Sequence, residues 1–501
     1  MEGPAVQDDR VPVIIGVGEA IDRPTALEAA LEPLDLMEDA VRRAMADAGI
    51  DLMTSVDSLD IVNMVSWRYA DVVASLAARL GVAPAHAAFA DVGGESPVRL
   101  VHEAALRVQR GETRVAIVCG AEAQNSAAKA RRAGIDLPWT PFAKDGPKPT
   151  SGRDIVHPLA SAYGVSQPTN VYPFYDVATA TAWGQTPGEA LAESGAIWAR
   201  YADVAADNPM SWLKRPFTAE EIVTPRDDNR LIAWPYTKLM VANPMVNQGA
   251  AVIVASLATA RAAGVPEHRI VHLVGGAAAS DTRDFMQRDQ FARSHAQEAV
   301  LEAVMPMAPG GFDAVELYSC FPCVPKMARR TLGMTSDAMP TVTGGLTFFG
   351  APLSNYMLHA TCAMARRLRA DRGTGLLYGQ GEFVTKHHAL VLSAVATGTP
   401  LASDYSVAAE VEARRGAVPE TVAPSPGPAV VESATVLYQR DGGVDHGVVL
   451  LRTPDGARTI AAVPASDAAT LAILTDPARS PVGRAGMIAP GQGELMTWSA
   501  T

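Results

Sequence analysis

A recurrence constrains this chain more than any single motif. The segment VDSLDIV (56–62) and the segment FDAVELY (312–318) share one pattern, and each follows a helical stretch. In the first copy VPVIIGVG reads as a short buried strand. Residues 35–48 read as a helix with Leu36, Val41, Ala44, Met45 and Ala48 on one face. Helices over 72–80 and from Pro97, with a Gly-Gly turn between them, lead to the strand VAIVCG. After residue 260 the order returns as RIVHLVGG, a helix over 297–305, FDAVELY, Gly-rich TVTGGLTFFGAP, a helix over 355–369, GTGLLYGQGEF and HALVLSAV. Alternation of this kind predicts a largely parallel sheet with helices on both faces. A period of ~200 residues is too long for a solenoid and predicts two fused, similar halves.

Two regions stand outside the recurrence. Residues 124–236 are rich in Pro, Tyr and Trp, contain helical pieces such as 189–206, and read as an insertion on the first half. The first half therefore spans 1–260 and the second 261–403. A Pro-rich linker, 404–428, precedes a different texture. From 429 to 501 short apolar runs alternate with turn signals at RDGG and PDGA. VVESATVLYQ, HGVVLLRT, RTIAAVP, TLAILT, RAGMIA and ELMTWS count as six strands, and a small antiparallel barrel pairs them without an exposed edge.

Charge narrows the function classes. The net charge is -12 with no long basic run, which argues against nucleic acid as a partner. A local basic excess, Lys129, Arg131, Arg132, Lys144, Lys148 and Arg153, stands against that background. Lys129, Arg131 and Arg132 are its candidate phosphate contacts, with a solvated loop as the plainer alternative. The first residues are acidic and their apolar run of about seven residues is too short to span a membrane. A soluble, cytoplasmic protein with no membrane partner is expected. Of four cysteines, Cys119 and Cys362 read as small buried apolar residues. Cys320 and Cys323 form a C-x-x-C with no second pair and no His at finger spacing, so packing beside a pocket is expected, with no metal and no cofactor.

These landmarks together resemble the thiolase superfamily over residues 10–400. VAIVCGAEAQN is similar to its small-residue-Gly-x-Glu strand and turn, and MVNQGAAVIVAS to the segment closing the first half. AVELYSCFPC resembles its Asn-Glu-Ala-Phe or His-Asp-Cys-Phe segment, and TGGLTFFGAP its Gly-Gly-x-x-x-x-Gly-His-Pro. NPMSWLKRPFTAEEI and VTKHH look closest to sterol-carrier-type thiolases, and the added barrel resembles thiolase-like proteins of type 1. The resemblance implies a thiolase fold, two β-α halves in five α-β-α-β-α layers, with a C-terminal antiparallel β-barrel. It also implies CoA or acyl-CoA as ligand and a homodimer by family habit, although a monomer is compatible with the sequence.

Thiolases acylate a cysteine at a helix N-terminus, move a proton with a second cysteine and hold the enolate oxygen with Asn or His. Carried over residue by residue, those positions hold Gly94, Leu377 (Tyr378 if the register slips by one), Tyr318 and Ala351. Acyl-cysteine thiolysis and Claisen condensation are therefore not expected. Candidate pocket residues are Ser96, Tyr318, Cys320, Gly350, Tyr378, Gly379 and Gly381. Ser96, just before Pro97, reads first as a helix N-cap, and Glu95 is favoured at the same positive helix end. His387 and His388 read as a strand pair pointing to opposite faces. The expectation is a thiolase-like acyl-CoA binder of lipid metabolism, a pseudoenzyme. The alternatives are an acyltransferase using Ser96 or Cys320, a retro-aldolase using Tyr318 or Tyr378, or a scaffold acting through the barrel.

Overall fold

The computed structural model describes residues 8–146, 152–491, 493 and 495–501. Its first half holds β1 (Pro12–Ile21), β2 (Ser58–Ile61), β3 (His86–Phe89) and β4 (Val115–Ala123), linked by α1 (Pro33–Ala48), α2 (Val72–Leu80) and α3 (Ser96–Arg110). The insertion adds α4 (Gln124–Ala133), α5 (Pro158–Ala162), α6 (Pro168–Ala182), α7 (Pro187–Asp207), α8 (Ala219–Val223) and two short strands, β5 (Leu231–Ala233) and β6 (Tyr236–Thr237). Strand β7 (Asn247–Ser256) completes the half, and α9 (Leu257–Ala262) leads onward. The second half is β8 (Val271–Ser280), α10 (His295–Val304), β9 (Ala314–Leu317), α11 (Cys323–Thr331), α12 (Tyr356–Asp371), β10 (Thr374–Gly381) and β11 (Lys386–Ser393).

These strands form one sheet in the order β3-β2-β4-β7-β1-β8-β11-β10-β9. Outward from the β1–β8 seam, each half runs first, last, penultimate and second strand, and the first half adds β3 at its edge. The recurrence in the sequence is thus a mirrored strand order in space. The sheet is mixed instead of largely parallel: β2–β3, β2–β4 and β9–β10 are parallel, whereas β7 and β11 run against their neighbours. The last strand of each half returns by a hairpin or through the insertion, and neither path requires the helical crossover of a parallel pair.

Helices α3 and α12 touch each other and strands of both halves, while α1 covers β1, β4 and β7 and α10 covers β8 and β11. Both faces are covered, so the strands read as unbroken apolar runs. Along β1, Val13 and Ile15 belong to the α1 side and Ile14 and Val17 to the α3 side. Gly16 and Gly18 let α1 approach: a Cβ on either would strike the carbonyl oxygens of Ala44 and Ala40.

The linker holds α13 (Ala408–Arg414), and the barrel begins at Gly427. It has five strands, not six: β12 (Gly427–Tyr438), β13 (Val444–Arg452), β14 (Arg458–Pro464), β15 (Ala485–Pro490) and β16 (Met496–Ala500). TLAILT lies in a helix, α14 (Ala468–Leu474), because Asp467 caps it, accepting from Thr470 N at 3.0 Å, and Leu471 and Leu474 turn one face to the barrel core. The barrel closes as β12-β13-β14-β16-β15-β12, with β14–β16 the one parallel pairing. Val449 and Leu451 point into it, whereas Val448 and Leu450 join the core of the main body. On that side β5 pairs with β12, so the insertion and the barrel share a sheet.

Candidate functional site

Three turns of the two halves converge on one cavity of about 920 Å³, within the range of small-molecule sites. They are Val92–Gly94 before α3, Tyr318–Phe321 after β9, and Gln380–Phe383 between β10 and β11. The insertion supplies Gln167–Thr169 and Tyr172 from the start of α6, so it reaches the same space as Gly94. The lining is mainly apolar and aromatic, with Trp67, Phe142, Tyr172, Phe321 and Phe383 around it, and the exposed side chains of Phe89 and Phe142 mark its opening.

The structure sorts the sequence-based candidates. Gly94, Tyr318, Cys320, Ala351 and Gly381 line the cavity; Ser96, Gly350, Leu377, Tyr378 and Gly379 do not. Gly94 meets Tyr318 directly, since a side chain on Gly94 would run into the Tyr318 hydroxyl and the Gln380 carbonyl. The space that a side chain at position 94 needs is filled by the tyrosine and the Gln380 carbonyl. Tyr378 faces away, its hydroxyl accepting from Gln297 Nε2 at 2.8 Å and paired with His387 Nδ1 at 2.7 Å. Gly350 is structural: its φ is 118° and a Cβ there would meet Gln248 Oε1 at 2.8 Å.

Ser96 is not the N-cap. It is the first helical residue, and its hydroxyl donates to Gly93 O at 2.8 Å instead of accepting from a free amide. The cap position is Glu95, whose side chain makes no cap hydrogen bond. Glu95 is 6% exposed, and burial raises its pKa against the pull of Lys386 and Arg99. Burial also pushes the Cys320 thiol up to about 12 and the Cys323 thiol and the Tyr318 and Tyr172 phenols well above their usual values. All four are neutral at physiological pH, so neither cysteine is a ready thiolate.

The remaining walls are held by polar contacts. Tyr172 donates to Glu382 O at 2.6 Å and bonds the Gln380 side chain at 2.9 Å. Glu122 accepts from Val65 N at 2.7 Å and Ser66 N at 2.8 Å, fixing the turn that carries Trp67 and Arg68. Two lining residues, Leu353 and Glu382, have left-handed backbone, with φ of 42° and 59°, a strain that concentrates at ligand sites. Lys129, Arg131 and Arg132 are exposed on α4 and do not line the cavity. Lys148 and the side chain of Arg153 lie outside the described residues. Among the described residues the lining cation is Arg68, which the sequence reading missed; it donates to Lys144 O at 2.8 Å and lies 5.4 Å from the Phe142 ring. The aromatic-basic run Trp67-Arg68-Tyr69 was its one visible signal. Among the described residues no helix is long and apolar enough to cross a membrane.

Comparison with known proteins bears on this geometry. A monomeric SCP2-thiolase-like protein type 1 from Mycobacterium smegmatis superposes with a TM-score of 0.81 at 24% identity, covering 98% of this chain and 99% of that one. The Ltp2-ChsH2(DUF35) aldolase matches at 0.56 and 18% identity over 76% and 97% of the two chains. Human mitochondrial 3-ketoacyl-CoA thiolase in complex with CoA matches at 0.54 and 14% over 79% and 100%. Comparison with curated sequences gives no match. Residues 407–492 match the family model described as the thiolase-like protein type 1 additional C-terminal domain. The chain has the thiolase fold and carries, at its C-terminal end, the additional domain of thiolase-like proteins of type 1.

Proposed function

We propose that this protein binds an acyl-CoA, with the apolar acyl part in the cavity that ends at Gly94, and that it does not form an acyl-cysteine. The mutual fit of Gly94 and Tyr318 carries this reading, because the site has neither the nucleophile nor the room for one. The retained aromatic cavity favours an apolar acyl group, and a thiolase of the same fold is known with CoA bound. Arg68 at the lining, in place of Lys129, Arg131 and Arg132, is the candidate anion contact. Titration calorimetry with CoA and acyl-CoAs of increasing chain length tests the binding: heat that grows with the acyl chain is expected, and no heat at millimolar ligand rejects the reading. Incubation with acetoacetyl-CoA should give no thiolysis and no mass adduct on the intact protein.

One observation favours a second reading, cleavage of a β-hydroxyacyl thioester. Tyr318 lines the cavity, and no hydrogen bond reaches its hydroxyl among the described residues. Release of an aldehyde or ketone, abolished in Tyr318→Phe, would favour this lyase over simple binding.

A further inference from the structure

We infer that the cavity selects a planar aromatic acyl group over an alkyl chain or a saturated ring system with the same number of carbons. The inference rests on the reading that the cavity holds the acyl part of a thioester. Its first basis is the choice of wall residues. Eight of the 32 lining residues are aromatic, against 6% of the whole chain. The flexible aliphatic side chains that mould themselves to an alkyl chain are scarce: the lining has Met64, Leu346 and Leu353, and no isoleucine among the described residues. The remaining aliphatic lining is valine, alanine and proline, which are stiff or short.

The second basis is that the rings are held in place. Phe321 stacks on Tyr172, with ring centroids 4.2 Å apart and planes inclined by 20°, and its centroid lies 5.4 Å from that of Tyr236. The Tyr172 hydroxyl is tied to Glu382 O at 2.6 Å and to the Gln380 side chain at 2.9 Å, which fixes the stack in the wall. Phe383 packs edge-on against Phe285 at 5.9 Å, and its carbonyl accepts from the Tyr175 hydroxyl at 2.9 Å. Near the opening Trp67 stands edge-on to Trp139 and Phe142, at 4.9 and 5.2 Å, and its indole N–H donates to Thr140 O at 2.9 Å. Rings pinned by second contacts give the cavity its shape before a ligand arrives. A flat, rigid ligand gains ring-to-ring contacts there and has few rotors to freeze. An alkyl chain gains area alone and loses its rotational freedom, and a saturated ring lacks the quadrupole that orients aromatic pairs. Phe321 on the buried wall and Trp67 beside the opening are the specificity-determining residues.

The test compares three thioesters with equal numbers of acyl carbons, naphthylacetyl-CoA, decahydronaphthylacetyl-CoA and dodecanoyl-CoA, by titration calorimetry on the full chain. The naphthyl thioester is expected to bind about tenfold tighter than either of the others, the size of one or two added aromatic contacts. Phe321→Leu and Trp67→Leu should each lower this preference about threefold. The preference is read as a ratio of affinities within one protein, which a general loss of stability does not imitate. Equal affinities, or tighter binding of the alkyl or saturated ligand, overturn the inference, as does a ratio unchanged in both variants. If no thioester binds, the binding reading fails by itself, and the N-methyl amides of the same three acids, which carry no CoA, decide the ring preference. Tighter binding of the naphthyl amide sustains the aromatic selectivity of the cavity; no preference, or no binding, rejects it.

Discussion

Gly94 and Tyr318 form a matched pair: one lacks a side chain where the other supplies a hydroxyl. Replacing Gly94 by Ala alone should destabilise the fold by ~1–3 kcal/mol through overpacking. In a Tyr318→Ala background only the Gln380 carbonyl still opposes the new methyl, so the loss should shrink and a double-mutant cycle by urea denaturation should give a coupling of ~0.5–3 kcal/mol. Additive losses would show that the two positions do not compete for one space. That position 94 offers no side chain at the start of α3 was legible in the sequence, because Pro97 and the apolar face that follows mark the helix start. Its contact with Tyr318 was not legible, since it joins the starts of two turns far apart in the chain. Ser96 was misread for a local reason: Pro97 at the second helical position looks the same whether the preceding serine accepts from the helix or donates backward to Gly93.

Among the elements, α3 and β11 meet through a buried histidine pair. His102 Nδ1 and His388 Nε2 are 3.0 Å apart, with Tyr405 beside both rings. His387, next along β11, faces the opposite way to Tyr378 and Ser294, as the strand alternation predicts, although both histidines are buried because both sheet faces are covered. Burial lowers His102 and His387 to about 4 and holds His388 well below its usual value, with His102 and then Arg99 also opposing a charge on His388. The unfolded chain takes up these protons near pH 6.5, and the folded chain refuses those of His102 and His387 until about pH 4 and that of His388 well below its usual value. Stability present above pH 6.5 is therefore lost as the pH falls, by ~1.4 kcal/mol per pH unit for each histidine. Glu122, raised to about 7 by burial, contributes the opposite slope above its unfolded value of 4.5. Urea midpoints between pH 7 and 4.5 should thus decline less steeply in His388→Leu than in the wild type; parallel curves would exclude His388 from the effect. Periodicity made α1, α2, α3, α7, α10 and α12 legible, whereas α4, α6 and α11 were not read as helices. It failed at TLAILT, where β-favouring residues sit behind an aspartate cap that turns them into α14.

For the whole molecule, the mirrored halves and the appended barrel were legible because each leaves a repeated pattern in the sequence. The join between barrel and insertion was not, since β5 is three residues long and carries no strand signature of its own. That join is extensive. Trp234 N donates to Val436 O at 2.8 Å and Ser433 Oγ to Phe174 O at 2.7 Å, and the barrel also meets the second half, where the fully buried Arg458 donates to Met286 O at 2.8 Å. By contrast, the segment 423–426 just before the barrel is mostly exposed. A protease site placed there should be cut readily, yet both fragments should elute together in gel filtration and melt within a few degrees of the intact chain, because the shared sheet and core hold them. Separation of the fragments would refute this. The peptide connecting the barrel to the body is then a tether and not a hinge. Two separately made polypeptides, divided at that point, would be expected to find each other and rebuild one protein, with the strand pairing of β5 and β12 as their recognition code.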